Sequence, residues 1–157
     1  MLQPFNSKNV HQHVEWLVKL QYEPFYRNFF RFMERTMNYE DAYNIEKSTR
    51  YSCLCYYEDD ILKGMTTIDW LNWGVCEIGF FILPEFIKTQ AGVRMNLEVE
   101  AFLKQKNIRK IKGHILQEDS HLTDICIKFG YEAKCILEKE TMINGKEMNV
   151  ILIEKFI

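Results

Sequence analysis

The sequence predicts a mixed α/β fold, and three observations carry that expectation. Apolar residues recur at helical spacing through the first third, and from Tyr51 the period changes to two. Near the C-terminus an Asn144-Gly145 pair, a strong two-residue turn signal, sits between two long alternating runs. Ser7 or Asn9 caps a first helix through Val10, Val14, Leu17 and Val18. Pro24 suits the first turn of a second helix, with Phe25, Phe29, Phe32 and Met33 on one side and Arg27, Arg31 and Arg35 on another. Residues 38–50 are polar and show no clear period. Tyr51–Glu58 then reads as a strand, Asp59–Lys63 as a turn and Gly64–Leu71 as the antiparallel partner. A turn at Asn72–Gly74 leads into Val75–Leu83, a third and more apolar strand that stops at Pro84. Residues 90–105 return to helical spacing, with Met95, Leu97, Val99, Phe102 and Leu103 as the apolar set. Ile108–Leu116 is a strand, and Ser120–Phe129 is a short helix closed by Gly130. Tyr131–Met142 and Glu147–Phe156 form the closing hairpin, and a further strand is expected within residues 1–5.

Composition narrows the function classes. The chain has 157 residues, 47% hydrophobic and 27% charged, enough apolar material for one core over residues 1–157. Within it, residues 1–50 are the helical part and residues 51–157 the alternating part. Lys plus Arg number 20 against 22 for Asp plus Glu, a net charge of -2. That balance gives no global electrostatic pull toward nucleic acid or an anionic membrane. The apolar runs Ile78–Leu83 and Val150–Ile153 are too short to span a bilayer, and Met1-Leu2-Gln3-Pro4 lacks the order of a signal peptide. Cys53, Cys55, Cys76, Cys126 and Cys135 are odd in number and lack framework spacing, which suggests reduced thiols in a soluble, cytoplasmic protein. Cys53-Leu54-Cys55 with His11-Gln12-His13 offers four metal donors, but the spacing is wrong for a structural zinc site, and no metal is expected. Asp119-Ser120-His121 is no hydrolase triad, because adjacent residues do not reach nucleophile–base–orienter geometry.

The informative stretch is Phe81-Ile82-Leu83-Pro84-Glu85-Phe86, followed by a short polar loop and a long helix. After it come a strand, a short helix ending Lys128-Phe129-Gly130-Tyr131, and a hairpin. Over residues 51–157 this resembles the GNAT acyl-CoA-dependent N-acetyltransferase superfamily. The helical first third matches the family's acceptor-side helices in topology only. The resemblance implies an α+β fold with a mixed, mostly antiparallel sheet, helices on both faces and a C-terminal β-hairpin. It implies acetyl-CoA as cosubstrate and transfer of an acetyl group to an amine that the sequence does not identify. The physical reason for such a loop is that N–H groups at a helix N-terminus hold a pyrophosphate, while small residues let the backbone come close.

By position, the resemblance puts Phe81, Ile82 and Leu83 against the pantetheine arm, and Lys88, Thr89, Gln90, Ala91, Gly92 and Val93 in the phosphate loop. Only Gly92 fits the family's last glycine; Gln90 stands where an earlier one is usual, and the basic residue is displaced to Lys88 or Arg94. Counting back from Gly130, the resemblance puts Cys126 in the place of the family's thiolate-protonating Tyr, and Asp119 in that of an Asn on the cofactor-binding side. Cys126 also reads as a small core residue on the inner face of a short helix. Glu77 is the leading general base, with Asp69 and His114 behind it on neighbouring strands.

A second reading comes from a different class. The depleted glycine loop and the missing Tyr also suit a catalytically degenerate GNAT-fold protein with a structural or interaction role. Ser120-His121 and the closing hairpin resemble small GNAT-like proteins of tailed phages, some of them virion components. The long hairpin offers an edge to a second copy or a protein partner. Lys104, Lys106, Arg109, Lys110 and Lys112 place five cations within nine residues and no acid among them. They read as a solvated helix end or as an anion-docking patch.

Overall fold

The structure, a computed structural model, describes residues 1–5, 44, 47–86, 89–143 and 145–157. The two helices expected in the first third fall outside the described residues. The remaining elements are β1 (Leu2–Pro4), β2 (Tyr51–Glu58), β3 (Ile61–Trp70), β4 (Val75–Ile82), α1 (Ala91–Gln105), β5 (Lys110–Leu116), α2 (Ser120–Lys128), β6 (Glu132–Ile143) and β7 (Lys146–Phe156). The strands form one sheet in the order β1-β2-β3-β4-β5-β7-β6. Every neighbouring pair is antiparallel except β4 and β5, which run parallel with α1 as their crossover. No helix among the described residues is long and apolar enough to cross a membrane.

Turn chemistry sets the strand lengths. β2 and β3 are joined by Asp59 and Asp60 alone, both left-handed (φ 50 and 59). Aspartate tolerates that region, and two left-handed residues match the twist of a hairpin. The expected turn over Asp59–Lys63 is therefore too long. β3 begins at Ile61, and the extra residue is absorbed by a register shift between Tyr56 and Tyr57. At the end of α2, Gly130 (φ 85) stands just past the helix, with Tyr131 N–H donating to Cys126 O at 3.0 Å and Gly130 N–H to Ile127 O at 2.9 Å. Glycine adopts that conformation without a Cβ penalty, which is why the helix stops there.

The main core lies between α1 and one face of the sheet. Ala91, Met95, Val99 and Leu103 form an i+4 stripe on α1, packed against Leu54, Tyr56, Ile68, Cys76, Ile78, Ile111, Ile115 and Ile153. Met95, Val99 and Leu103 are fully buried, each contributing about 1.5–3 kcal/mol. Leu97, expected in the apolar set, is 59% exposed because it points away from this stripe. Gly64 on β3 lets α1 approach: a Cβ there would lie 2.3 Å from Phe81 O and 3.0 Å from Met95 Sδ. α2 buries no residue completely, though Cys126 and Phe129 pack partly onto the same cluster.

Register assigns the other face. It carries the buried Cys53, Cys55, Met65, Phe81 and Val150, and a polar row crossing the sheet from Asp69 through Glu77 and Lys112 to Glu154. Lys110 Nζ reaches Glu154 at 2.7 Å, and Arg50 holds Asp69 with two contacts of 2.9 and 3.0 Å.

Candidate active site

β4 and β5 share their ladder only over Val75–Glu77 and Lys110–Lys112. Beyond that point the parallel strands no longer pair, although β4 continues to Ile82 and β5 to Leu116. The β3–β4 ladder decides which peptide groups face the parting. Leu83 N–H donates to Lys63 O at 2.9 Å, and Leu71 N–H to Val75 O at 3.0 Å. Hydrogen-bonded positions alternate in an antiparallel pair, so Val75, Glu77, Gly79 and Phe81 direct their peptide groups to β3. Cys76, Ile78, Phe80 and Ile82 direct theirs to the β5 side, while their side chains hold to the α1 core. Of the expected trio Phe81, Ile82 and Leu83, only Ile82 directs its peptide group to the side of the parting, while Phe81 and Leu83 direct theirs to β3. Phe81 is 1% exposed on the opposite face, and the amide of Leu83 is engaged by Lys63. Sequence reasoning missed this because the phase of a strand's hydrogen bonds depends on its neighbour.

α1 begins where β4 ends, after the short 3-10 turn Pro84–Phe86. Thr89 Oγ1 donates to Phe86 O at 2.8 Å and accepts from Ala91 N–H at 3.1 Å. Thr89 is therefore a structural brace in the loop, and Ala91 is 1% exposed beneath it. Gln90 is the N-cap residue and its side chain makes no capping bond. Among the described residues, Gly92 and Val93 find no acceptor for their N–H groups, as the first turn of a helix dictates. A Cβ on Gly92 would meet only Ile82, at an ordinary 3.5 Å. The fold itself does not require glycine there, and its missing side chain leaves room beside Ile82. First-turn donors, the positive helix end, no acidic residue in that turn and a bare Gly92 together fit a pyrophosphate.

Lys88 lies outside the described residues. Arg94 does not serve the loop: it turns to β2, where its guanidinium binds Glu58 at both carboxylate oxygens, one at 2.9 Å. Tyr56 OH donates to the same carboxylate at 2.6 Å. Arg94 and then Tyr56 hold the Glu58 carboxyl down at about 2.

Glu77 sits at the last shared ladder position, directly opposite Asp69 on one side and Lys112 on the other. Its Oε1 lies 2.8 Å from His114 Nδ1 on β5. Two of the three base candidates thus form one half-buried pair where the strands part. The third, Asp69, is occupied by Arg50.

The α2 candidates come out differently. Asp119 caps the helix, its Oδ1 accepting from Leu122 N–H at 3.0 Å. Burial, and then the Asp119 charge, push the Cys126 thiol up to about 11. A thiol that holds its proton this tightly is a poorer acid than an ordinary thiol near about 8.5, so proton donation to a leaving thiolate runs uphill. Cys126 also packs partly onto the main core.

No protein-family model matches the sequence, and no curated protein matches it. Solved structures do match over nearly the whole chain. Ribosomal-protein-alanine N-acetyltransferase from Brucella melitensis superposes with a TM-score of 0.81 at 9% identity, covering 100% of this chain and 99% of that one. Spermidine N-acetyltransferase from Vibrio cholerae, solved with CoA and spermine, gives 0.80 at 17% identity over 99% and 94% of the two chains. A probable acetyltransferase from Staphylococcus epidermidis gives 0.79 at 11% identity over 99% and 98%. The chain has the GNAT fold. In this GNAT-fold protein the Glu77–His114 pair stands where the β4–β5 ladder ends, near the start of β4, and the first turn of α1 follows the far end of that strand.

Proposed function

We propose that this protein is an acetyl-CoA-dependent N-acetyltransferase acting on an amine. The observation that carries the reading is the end of the β4–β5 ladder at Glu77 and Lys112, with the first turn of α1 beyond β4, where the N–H groups of Gly92 and Val93 have no acceptor among the described residues. Acetyl-CoA supplies an activated thioester carbonyl when bound. The N–H groups of Gly92 and Val93 would hold its pyrophosphate, and the peptide groups of Ile78 and Phe80 its extended arm. An N–H directed from β4 toward the parting would also stabilise the developing oxyanion. Glu77 and His114 take up the proton that the amine must lose, the carboxylate accepting from Nδ1–H and keeping the ring in place. The solved neighbours support this at the level of fold, since they are N-acetyltransferases and one was solved with CoA.

The test is isothermal titration of the purified protein with acetyl-CoA and with CoA. Micromolar binding that is lost on Gly92→Glu, at unchanged melting temperature, is the expected result. The Ile82 contact at 3.5 Å leaves the fold tolerant of a side chain there. No heat, together with no stabilisation by millimolar ligand, would overturn the reading.

A further inference from the structure

β5 carries an amine beside the Glu77–His114 pair that transfer to a dissolved acceptor leaves unused. Lys112 is the ladder partner of Glu77 on one side and of Glu154 on the other. Paired residues share a face of the sheet, and so do Lys112 and His114, two positions apart on one strand. The 2.8 Å contact from Glu77 Oε1 to His114 Nδ1 runs diagonally across that face, starting from the level of Lys112. Lys112 therefore stands on the same face as both members of the pair, at the last rung before β4 and β5 part. Its flexible four-carbon stem is long enough to cross a strand spacing of about 4.8 Å.

Two lysines occupy this face of β5, and their surroundings differ. Lys110 is fixed: its Nζ meets Glu154 at 2.7 Å and lies over the Phe156 ring at 5.4 Å from the centroid. Among the described residues the same carboxylate is the ion-pair partner of Lys112, but at 3.8 Å, too far for a hydrogen bond. The Lys112 side chain is 32% exposed. Lys110 thus satisfies Glu154, and Lys112 keeps an amine that can turn toward β4 without breaking that hydrogen bond. The exposed Lys104 and Lys106 belong to the last turn and cap of α1, which packs on the opposite face of the sheet from the pair.

We propose that Lys112 is a self-acetylation site: with acetyl-CoA bound and no acceptor amine present, its ε-amine takes the acetyl group. The inference rests on the acetyl-CoA reading of the parting. The ammonium first loses one proton to water. The neutral nitrogen then attacks the thioester carbonyl carbon, so that a C–N bond forms and the C–S bond breaks. A second proton passes from the nitrogen to the Glu77–His114 pair, and the CoA sulfur leaves as a thiolate that takes a proton from water. The product is an uncharged amide beside Glu77. It fills space next to the base that an acceptor amine needs, so the modification lowers turnover, and a dissolved amine competes with it.

The test is incubation of the purified protein with saturating acetyl-CoA and no acceptor, followed by intact mass and peptide mapping, alongside titration of acetyl-CoA binding. The expected result is a single acetyl group at Lys112, with Lys104 and Lys106 modified far more slowly. Glu77→Gln should slow the modification of Lys112 about 100-fold and leave the rates at Lys104 and Lys106 unchanged. Lys112→Arg should abolish the single addition at an unchanged melting temperature. Acetyl-CoA that binds while Lys112 stays unmodified overturns the inference and leaves the acetyltransferase reading standing. So does modification of Lys112 at the rate of Lys104 and Lys106, or at an unchanged rate in Glu77→Gln, because a thioester also acetylates exposed amines without any site. Absence of acetyl-CoA binding overturns both.

Discussion

Glu77 and His114 meet at the point where two parallel strands part, with Oε1 and Nδ1 2.8 Å apart and 37 residues between them in the chain. Neither side chain stands alone: the carboxylate orients the imidazole through this contact. Once an amine that supports turnover is in hand, Glu77→Gln and His114→Ala should each lower kcat about 100-fold or more. The double variant should be little worse than either single one, as for groups acting as a unit. Titration should find acetyl-CoA affinity unchanged in all three. Full turnover by Glu77→Gln would remove the pair from the chemistry.

Gly64→Ala should destabilise the protein by about 2–3 kcal/mol in urea denaturation. The added Cβ would stand 2.3 Å from a main-chain oxygen that cannot rotate aside, with Ile82 Cδ1 at 2.9 Å behind it. A loss below about 0.5 kcal/mol would mean that β3 and α1 can shift apart more easily than a packed core allows.

Stability in acid should report the Glu58–Arg94–Tyr56 cluster. The Glu58 carboxyl is held down at about 2, so folding favours its ionised form. That contribution is complete above the ordinary glutamate range and is lost as pH falls from about 4.5 toward 2. The stability difference between the unaltered protein and Glu58→Gln should be constant above pH about 5 and shrink below it. Urea midpoints across that range check this; a difference that does not change with pH would show that the carboxylate's charge is immaterial.

Asp119→Ala should cost about 1 kcal/mol, and Asp119→Asn much less, because the side chain accepts from Leu122 N–H at the start of α2. Acetyl-CoA affinity should stay unchanged. A fall in affinity without a fall in stability would return Asp119 to the cofactor side that its sequence position suggested.

Most of the secondary structure was legible because local chemistry specified it. The change of period at Tyr51, Gly130 after the short helix and the Asn144-Gly145 signal place strands, a helix end and a hairpin near where they occur. The errors were local as well. The β2–β3 turn was read too long because Asp59 and Asp60 are ambiguous until their strands pair, and Leu97 was counted as apolar core before the buried stripe of α1 was fixed. Of the site positions expected from the sequence, Glu77 lies where the β4–β5 ladder ends and Gly92 in the first turn of α1, while Phe81, Leu83, Thr89 and Asp119 have their groups engaged within the fold.

By itself, then, the sequence determined the order of elements from β2 onward and the strand–loop–helix segment that resembles an acyl-CoA site. Period, turn residues and caps act over a few neighbours and need no partner strand. Tertiary structure decided the rest. The parallel pairing that ends at Glu77 and Lys112 selects Ile78, Phe80 and Ile82 to face the parting, joins Glu77 to His114, and sets Arg94 against Glu58 instead of the phosphate loop. Those relationships span 35 to 37 residues of chain. They exist only once the strands are side by side, because a hydrogen bond's direction and a charge's partner are properties of that arrangement.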